Sequence, residues 1–133
     1  MLFEILSVMK MIIKSGKWIF ASMFAVFGLL HFGPLAFSLP YVPGFLPFPA
    51  FWVYFAGIAL VAFSVSVWVG KLDKLAALLL ALMMFIFVVL IHIPGAVAGN
   101  FVSTIGVFRD TTIIGAALMY ADKFARDGKF IST

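Results

Sequence analysis

The sequence predicts an all-α fold: a polytopic membrane protein whose four transmembrane helices form a bundle, with an N-terminal interfacial helix and a Pro-rich outer lid. Three observations carry this expectation. The chain of 133 residues is 65% hydrophobic with a mean hydropathy of +1.25, far above the roughly 45–50% apolar content of globular domains. Its apolar residues gather into four runs, each close to the roughly 20 residues that cross a hydrocarbon core at about 1.5 Å rise per residue. And of the nine Lys and Arg residues, all but Arg109 cluster at what would be one side of the four runs.

Taken in order, residues 1–17 (MLFEILSVMKMIIKSGK) set Ser7, Lys10, Lys14 and Lys17 at helical spacing among Leu, Ile, Met and Phe, the pattern of a helix lying in the inner interface. A cleaved signal peptide is the rival reading. The apolar run after Lys17 is as long as a full span and no small-residue cleavage site follows it, which argues against that rival. The first span is expected at 18–37. The outer connection at 38–49 begins SLPYVPGFLPFP, Pro-rich, aromatic and uncharged. Its prolines exclude a regular helix, and two readings stand: an extended lid across the mouth of the bundle, or a loop anchored in lipid. Further spans are expected at 50–70, 75–93 and, less cleanly, 102–121. An uncharged outer connection at 94–101 precedes the last of them, and a cytoplasmic tail occupies 122–133. The whole is one membrane domain.

Short cytoplasmic loops carry excess Lys and Arg. Lys10, Lys14 and Lys17 precede the first span, Lys71 and Lys74 join the second to the third, and Lys123, Arg126 and Lys129 follow the fourth. Both termini are therefore expected in the cytoplasm. Trp18 and Trp68 beside the lysines, and Tyr41, Trp52 and Tyr54 at the opposite end, fit the two interfaces that aromatic amphipathic rings prefer. The net charge of +4 is scattered around apolar runs, which suits a lipid bilayer as partner and not nucleic acid. The absence of cysteine removes thiol–disulfide chemistry and thiolate metal sites.

The expensive residues are polar ones inside the apolar runs. If the last helix began at Asp110, its apolar part would rise only about 16 Å, half a bilayer core. Arg109 and Asp110 must then lie within the span or follow buried irregular backbone. A lone charge at that depth costs about 2.5–3.5 kcal/mol on insertion scales. Adjacent helical residues point about 100° apart, so the pair is expected to need partners elsewhere. Counting rise from the lysines puts His31 about 21 Å up, His92 and Tyr54 about 25–27 Å, and Arg109 with Asp110 about 20 Å. His31, Tyr54, His92, Asn100, Arg109 and Asp110 are thus the candidate polar cluster beneath the lid. The competing reading sends Arg109 to the headgroups, makes Asp110 a helix cap and leaves the histidines as interfacial tips.

GLLHFGP and VLIHIPG each place a histidine just before a helix-breaking Pro and Gly, a hint of a two-hairpin repeat. Two histidines on separate helices can ligate haem, but their unequal depth argues against it. Zinc lacks Cys or a carboxylate cluster to complete its ligands, so no metal site is expected. Ala21, Ala25, Gly28, Gly57, Ser64 and Gly115 are expected to permit close helix approach. Met83, Met84, Phe85 and Phe87 read as packing or lipid contact.

With these residues in view, the chain resembles the DoxX family of small four-helix integral membrane proteins. The likeness covers most of 17–121: FAVFGLLHFG closing the first helix, a Pro-bearing outer loop, WVYFAGIALVAF, the inner turn GKLDKLAALLLALMM, and FRDTTIIGAAL opening the last helix. It is one of architecture, without a sharp catalytic signature. The resemblance implies a subunit of the bacterial cytoplasmic (inner) membrane associated with an oxidoreductase system and binding a quinone-like apolar ligand. Arg109, His31 or His92 would donate to its carbonyl oxygens and Asp110 would orient a donor or relay protons. Electrons would come from a partner subunit, because no redox centre is visible in the chain. The lack of cysteine and the long proline lid depart from thiol-active four-helix proteins. Two other classes stand beside this one: a small-molecule or proton-coupled carrier working as a homodimer, and a structural or assembly subunit of a membrane complex.

Overall fold

The structure, a computed structural model, describes residues 1–131 and is all-helical. Helix α1 spans Leu2–Leu30, α2 Pro49–Val69, α3 Asp73–Phe87, α4 Ile93–Val97 and α5 Phe101–Lys123; a π-helical turn at Val88–His92 joins α3 to α4. Four of the resulting segments, with 73–97 taken as one, are long and apolar enough to cross a membrane. The chain is built as an integral membrane protein.

Several boundaries differ from expectation. Residues 1–17 are not a separate interfacial helix but the first turns of α1, whose 29 residues rise about 43 Å, longer than a bilayer core. Gly16 alone is too weak a breaker to interrupt it. The same helix stops at Leu30, seven residues before the predicted end, because Gly33 and Pro34 follow and proline disfavours helical backbone in the residue before it. The third segment continues past His92 to Val97. In a regular α-helix Pro94 would leave the carbonyl of Leu90 without its N–H partner and its ring would crowd that oxygen; the widened turn accommodates both. Helix α5 begins at Phe101, with the Asn100 side chain accepting from the Ser103 N–H at 3.0 Å. Arg109 and Asp110 therefore lie inside the helix, and Asp110 is not its cap.

The outer segment is not extended. It winds through 3₁₀ turns at Leu35–Phe37 and Leu39–Tyr41 and is tied down where the Trp52 indole N–H donates to the Pro47 carbonyl at 2.9 Å.

Helix α1 packs on α2, α2 on α3, and α3 on α5. Small residues set the first contact: a Cβ on Gly28 would come within 2.6 Å of the Gly57 carbonyl oxygen, so the backbones meet. The Ser64 hydroxyl crosses the same seam to the Ala21 carbonyl at 2.6 Å. Phe20, Phe24 and Phe63 interlock edge to face at 5.1–5.7 Å. Ala77, Leu80, Ala81, Ala117 and Tyr120 continue the core into α3 and α5. Gly115, expected at a close approach, faces open space.

At the lysine-bearing end, Asp73 is fully buried. Its carboxylate accepts from the Tyr120 hydroxyl at 2.8 Å, from the backbone N–H groups of Arg126 and Asp127 at 2.9 and 2.8 Å, and from that of Lys74 at 3.1 Å. Residues 124–129 are thereby strapped onto the α2–α3 turn. The Arg126 guanidinium donates to the Val67 and Trp68 carbonyls that end α2, and Asp127 accepts from the Leu72 N–H at 2.9 Å.

Candidate functional site

The opposite end, beneath the Pro-rich segment, holds a cavity of about 510 Å³. Phe37, Tyr41, Pro43 and Leu46 of that segment form one wall; Trp52, Phe55, Met83 and Phe87 supply most of the rest. The segment is thus a lid over a real volume, although Phe37, Phe45 and Phe48 also turn outward. A second, smaller cavity of about 390 Å³ shares Tyr41, Val42 and Pro43 and reaches Asn100 and Ser103.

The polar groups at the main cavity come from three elements. His31 caps the C-terminus of α1, and its Nδ1 lies 2.8 Å from the Phe27 carbonyl oxygen. His92 is the last residue of the π turn, which aims its ring at α5 over Gly106; any Cβ there would collide with the imidazole. Arg109 and Asp110 follow one turn of α5 later. His31, His92 and Arg109 all line the cavity.

Asp110 is 1% exposed. Its Oδ1 accepts from the Arg109 Nε–H at 2.7 Å, so the two neighbours do neutralise one another directly, contrary to the expectation from helix geometry. The Cα–Cβ directions diverge as expected, but the arginine stem is long enough to fold its guanidinium back. Asp110 Oδ2 sits 3.1 Å from His92 Nε2 without the alignment of a hydrogen bond, and both this oxygen and His92 Nδ1 are buried with no hydrogen-bond partner. Arg109 Nη2 is 3.4 Å from the same His92 Nε2.

That nitrogen faces contradictory demands. Arginine is only a donor and an ionised aspartate only an acceptor. With its proton on Nε2, His92 suits Asp110 and repels Arg109; without it, the reverse holds. One imidazole cannot satisfy both, so the trio is poised between two hydrogen-bonding states. The Arg109 side chain is half exposed and has unspent donors at the cavity.

Of the six candidate residues, His31, His92 and Arg109 line one cavity, and Asp110 lies behind them against Arg109 and His92. Asn100 is a helix cap bordering the smaller cavity. Tyr54 is outside the site: its ring stacks on Phe32 at 5.7 Å, on a face away from the cavity wall. Depth along a span does not give rotation about the helix axis, which sets Tyr54 outside the lining of that cavity. Sequence reasoning gave Asp73 and Tyr120 no role and read Arg126 only as a topology marker. Among the described residues no three His, Asp or Glu side chains gather to hold a metal ion. Comparison with family models, with curated proteins and with solved structures finds no match to the chain.

Proposed function

We propose that the chain is a DoxX-like subunit of the bacterial inner membrane, with its lysine-bearing end in the cytoplasm, that holds a quinone-like flat apolar molecule beneath the lid on behalf of an oxidoreductase system. The observation that carries this reading is the placement of a guanidinium on the wall of a mostly aromatic and aliphatic cavity. Its volume falls within the roughly 300–1,000 Å³ typical of small-molecule sites, which are mostly apolar with a few convergent polar groups. Arg109 offers N–H donors to a carbonyl or oxyanion, and in low dielectric such a contact orients a ligand strongly. Phe37, Trp52, Phe55 and Phe87 supply faces for a ring.

Trp52 gives the test, because it lines the cavity and a bound quinone quenches indole fluorescence. Titration of a short-chain quinone into protein in detergent is expected to quench saturably. Trp52→Phe should abolish the saturable component, and Arg109→Gln should weaken affinity about tenfold or more, the worth of one charge-assisted hydrogen bond. Linear quenching that is the same in all three proteins overturns the proposal.

A further inference from the structure

Two side chains at the cavity have hydrogen-bonding roles fixed by their surroundings, and they are of opposite kind. Arg109 lends its Nε to Asp110 and can only donate with what remains. His31 is fixed by the backbone of its own helix. Its Nδ1 lies 2.8 Å from the Phe27 carbonyl, and a carbonyl oxygen only accepts, so Nδ1 carries the proton. A neutral imidazole has one ring proton. Nε2 is then a bare acceptor, and no described residue donates to it. The indole N–H of Trp52 is already used by Pro47, and the Ser38 and Tyr41 hydroxyls on the wall rotate to donate or accept, so neither has a fixed role.

The cavity therefore presents a fixed donor on α5 and a fixed acceptor on α1, on a wall that is otherwise mostly apolar. A quinone, carrying carbonyl oxygens at both ends, satisfies Arg109 but sets a lone pair against His31 Nε2. A ring with a hydroxyl at one end and an oxygen acceptor at the other satisfies both. A ligand that closes over His31 and sets an acceptor against it leaves both acceptors unpaired, which costs more than the mean worth of a hydrogen bond, so the mismatch discriminates.

We infer that His31 is a specificity-determining acceptor, selecting a hydroxyl-bearing aromatic ligand such as the quinol over the corresponding quinone, through the pairing of its Nε2 with the ligand hydroxyl while Arg109 takes the distal oxygen. This rests on the proposal that the cavity takes a quinone-like molecule. It also reverses the donor role that the sequence suggested for His31.

The experiment is anaerobic calorimetric titration of the full chain in detergent at about pH 8, where an ordinary imidazole is neutral, with a short-chain ubiquinol and the matching ubiquinone. The quinol is expected to bind about tenfold tighter, equivalent to about 1.4 kcal/mol. His31→Leu should bring the two affinities within about twofold by weakening the quinol alone. If that variant does not fold, the wild-type ratio together with ¹⁵N shifts of the His31 ring decides. Nδ1 protonated and Nε2 bare is the expected tautomer. Equal binding of both ligands, tighter quinone binding, or the opposite tautomer overturns the inference and leaves the proposed ligand class standing. No binding of either ligand overturns that proposal as well.

Discussion

Removing either member of the Arg109–Asp110 pair leaves a different orphan, and the structure fixes which loss is worse. In Arg109→Ala the orphan is a carboxylate that is 1% exposed, unable to reach water and left with only the misaligned contact to His92. Breaking a buried pair from that side costs about 3–5 kcal/mol. In Asp110→Ala the orphan is a guanidinium already half exposed, which can swing to headgroups or water. The remaining loss is one partner of His92 and a small void, about 1–2 kcal/mol.

At about 4 °C per kcal/mol for a chain of this size, Arg109→Ala is expected to lower the midpoint in detergent by about 12–20 °C and Asp110→Ala by about 4–8 °C. The assay is thermal unfolding followed by intrinsic fluorescence. Equal midpoints for the two variants and wild type would show that both charges sit among phosphates. A larger loss for Asp110→Ala than for Arg109→Ala would refute the burial asymmetry on which the argument rests.

Asp73→Ala removes the anchor of the C-terminal strap, a loss of about 3 kcal/mol in hydrogen bonds to a charged group, so tryptic cleavage at Lys123, Arg126 and Lys129 should accelerate about 100-fold if cutting follows the open population. Asp127 is held below its usual 3.8 first by the Leu72 N–H and then by the Lys129 N–H. A depressed folded value means stability that is present above 3.8 and lost as pH falls through the lower one. Between about pH 5 and pH 3 the wild-type midpoint should therefore fall further than that of Asp127→Asn. Pro94→Ala lets the π turn relax to a regular helix and rotates His92 by up to about 100°. The midpoint should rise by about 4 °C, while the His92–Asp110 coupling in a double-mutant cycle falls below about 0.5 kcal/mol; an unchanged coupling would show that the proline does not set the turn.

How far the sequence could be read follows from which physical quantity each feature depends on. Span number depends on the length of apolar runs, so all four were legible, whereas their ends depend on local breakers. Lys17 looked like a boundary and is none; Pro94 looked like a terminus and is the cause of a widened turn. Height along a span follows from the rise per residue, which is why His31, His92 and Arg109 were found. Azimuth depends on which neighbour a face meets, which depth alone does not give, and Tyr54 was misplaced for that reason. The Asp73 network escaped because its charges sit where topology already explains them. A signal was present all the same: Asp73 stands alone between Lys71 and Lys74, and Arg126–Asp127 repeats the Arg–Asp pairing seen at 109–110.

The two ends of the bundle treat a buried carboxylate in opposite ways, and the contrast bears on which end does work. Around Asp73 both oxygens are paired, four donors converge, and even the left-handed backbone of Leu72 has its N–H taken by Asp127. Nothing there is left over, as a structural tie requires. Around Asp110 one oxygen and one ring nitrogen lack partners, the helix opposite is widened, and Phe48, left-handed at the start of α2, has no side-chain cap. Each departure costs stability, by about 1–3 kcal/mol for a buried unpaired group or a strained residue. Had stability been the only demand, a Leu at 110 and an unkinked third helix would serve better, because apolar replacements of buried ion pairs are often neutral or stabilising. Left-handed backbone occurs at both ends, in Phe48 and Leu72, but the unpaired buried polar atoms and the widened turn gather at the end holding the cavity, the pattern expected where local rules are broken for the sake of a ligand.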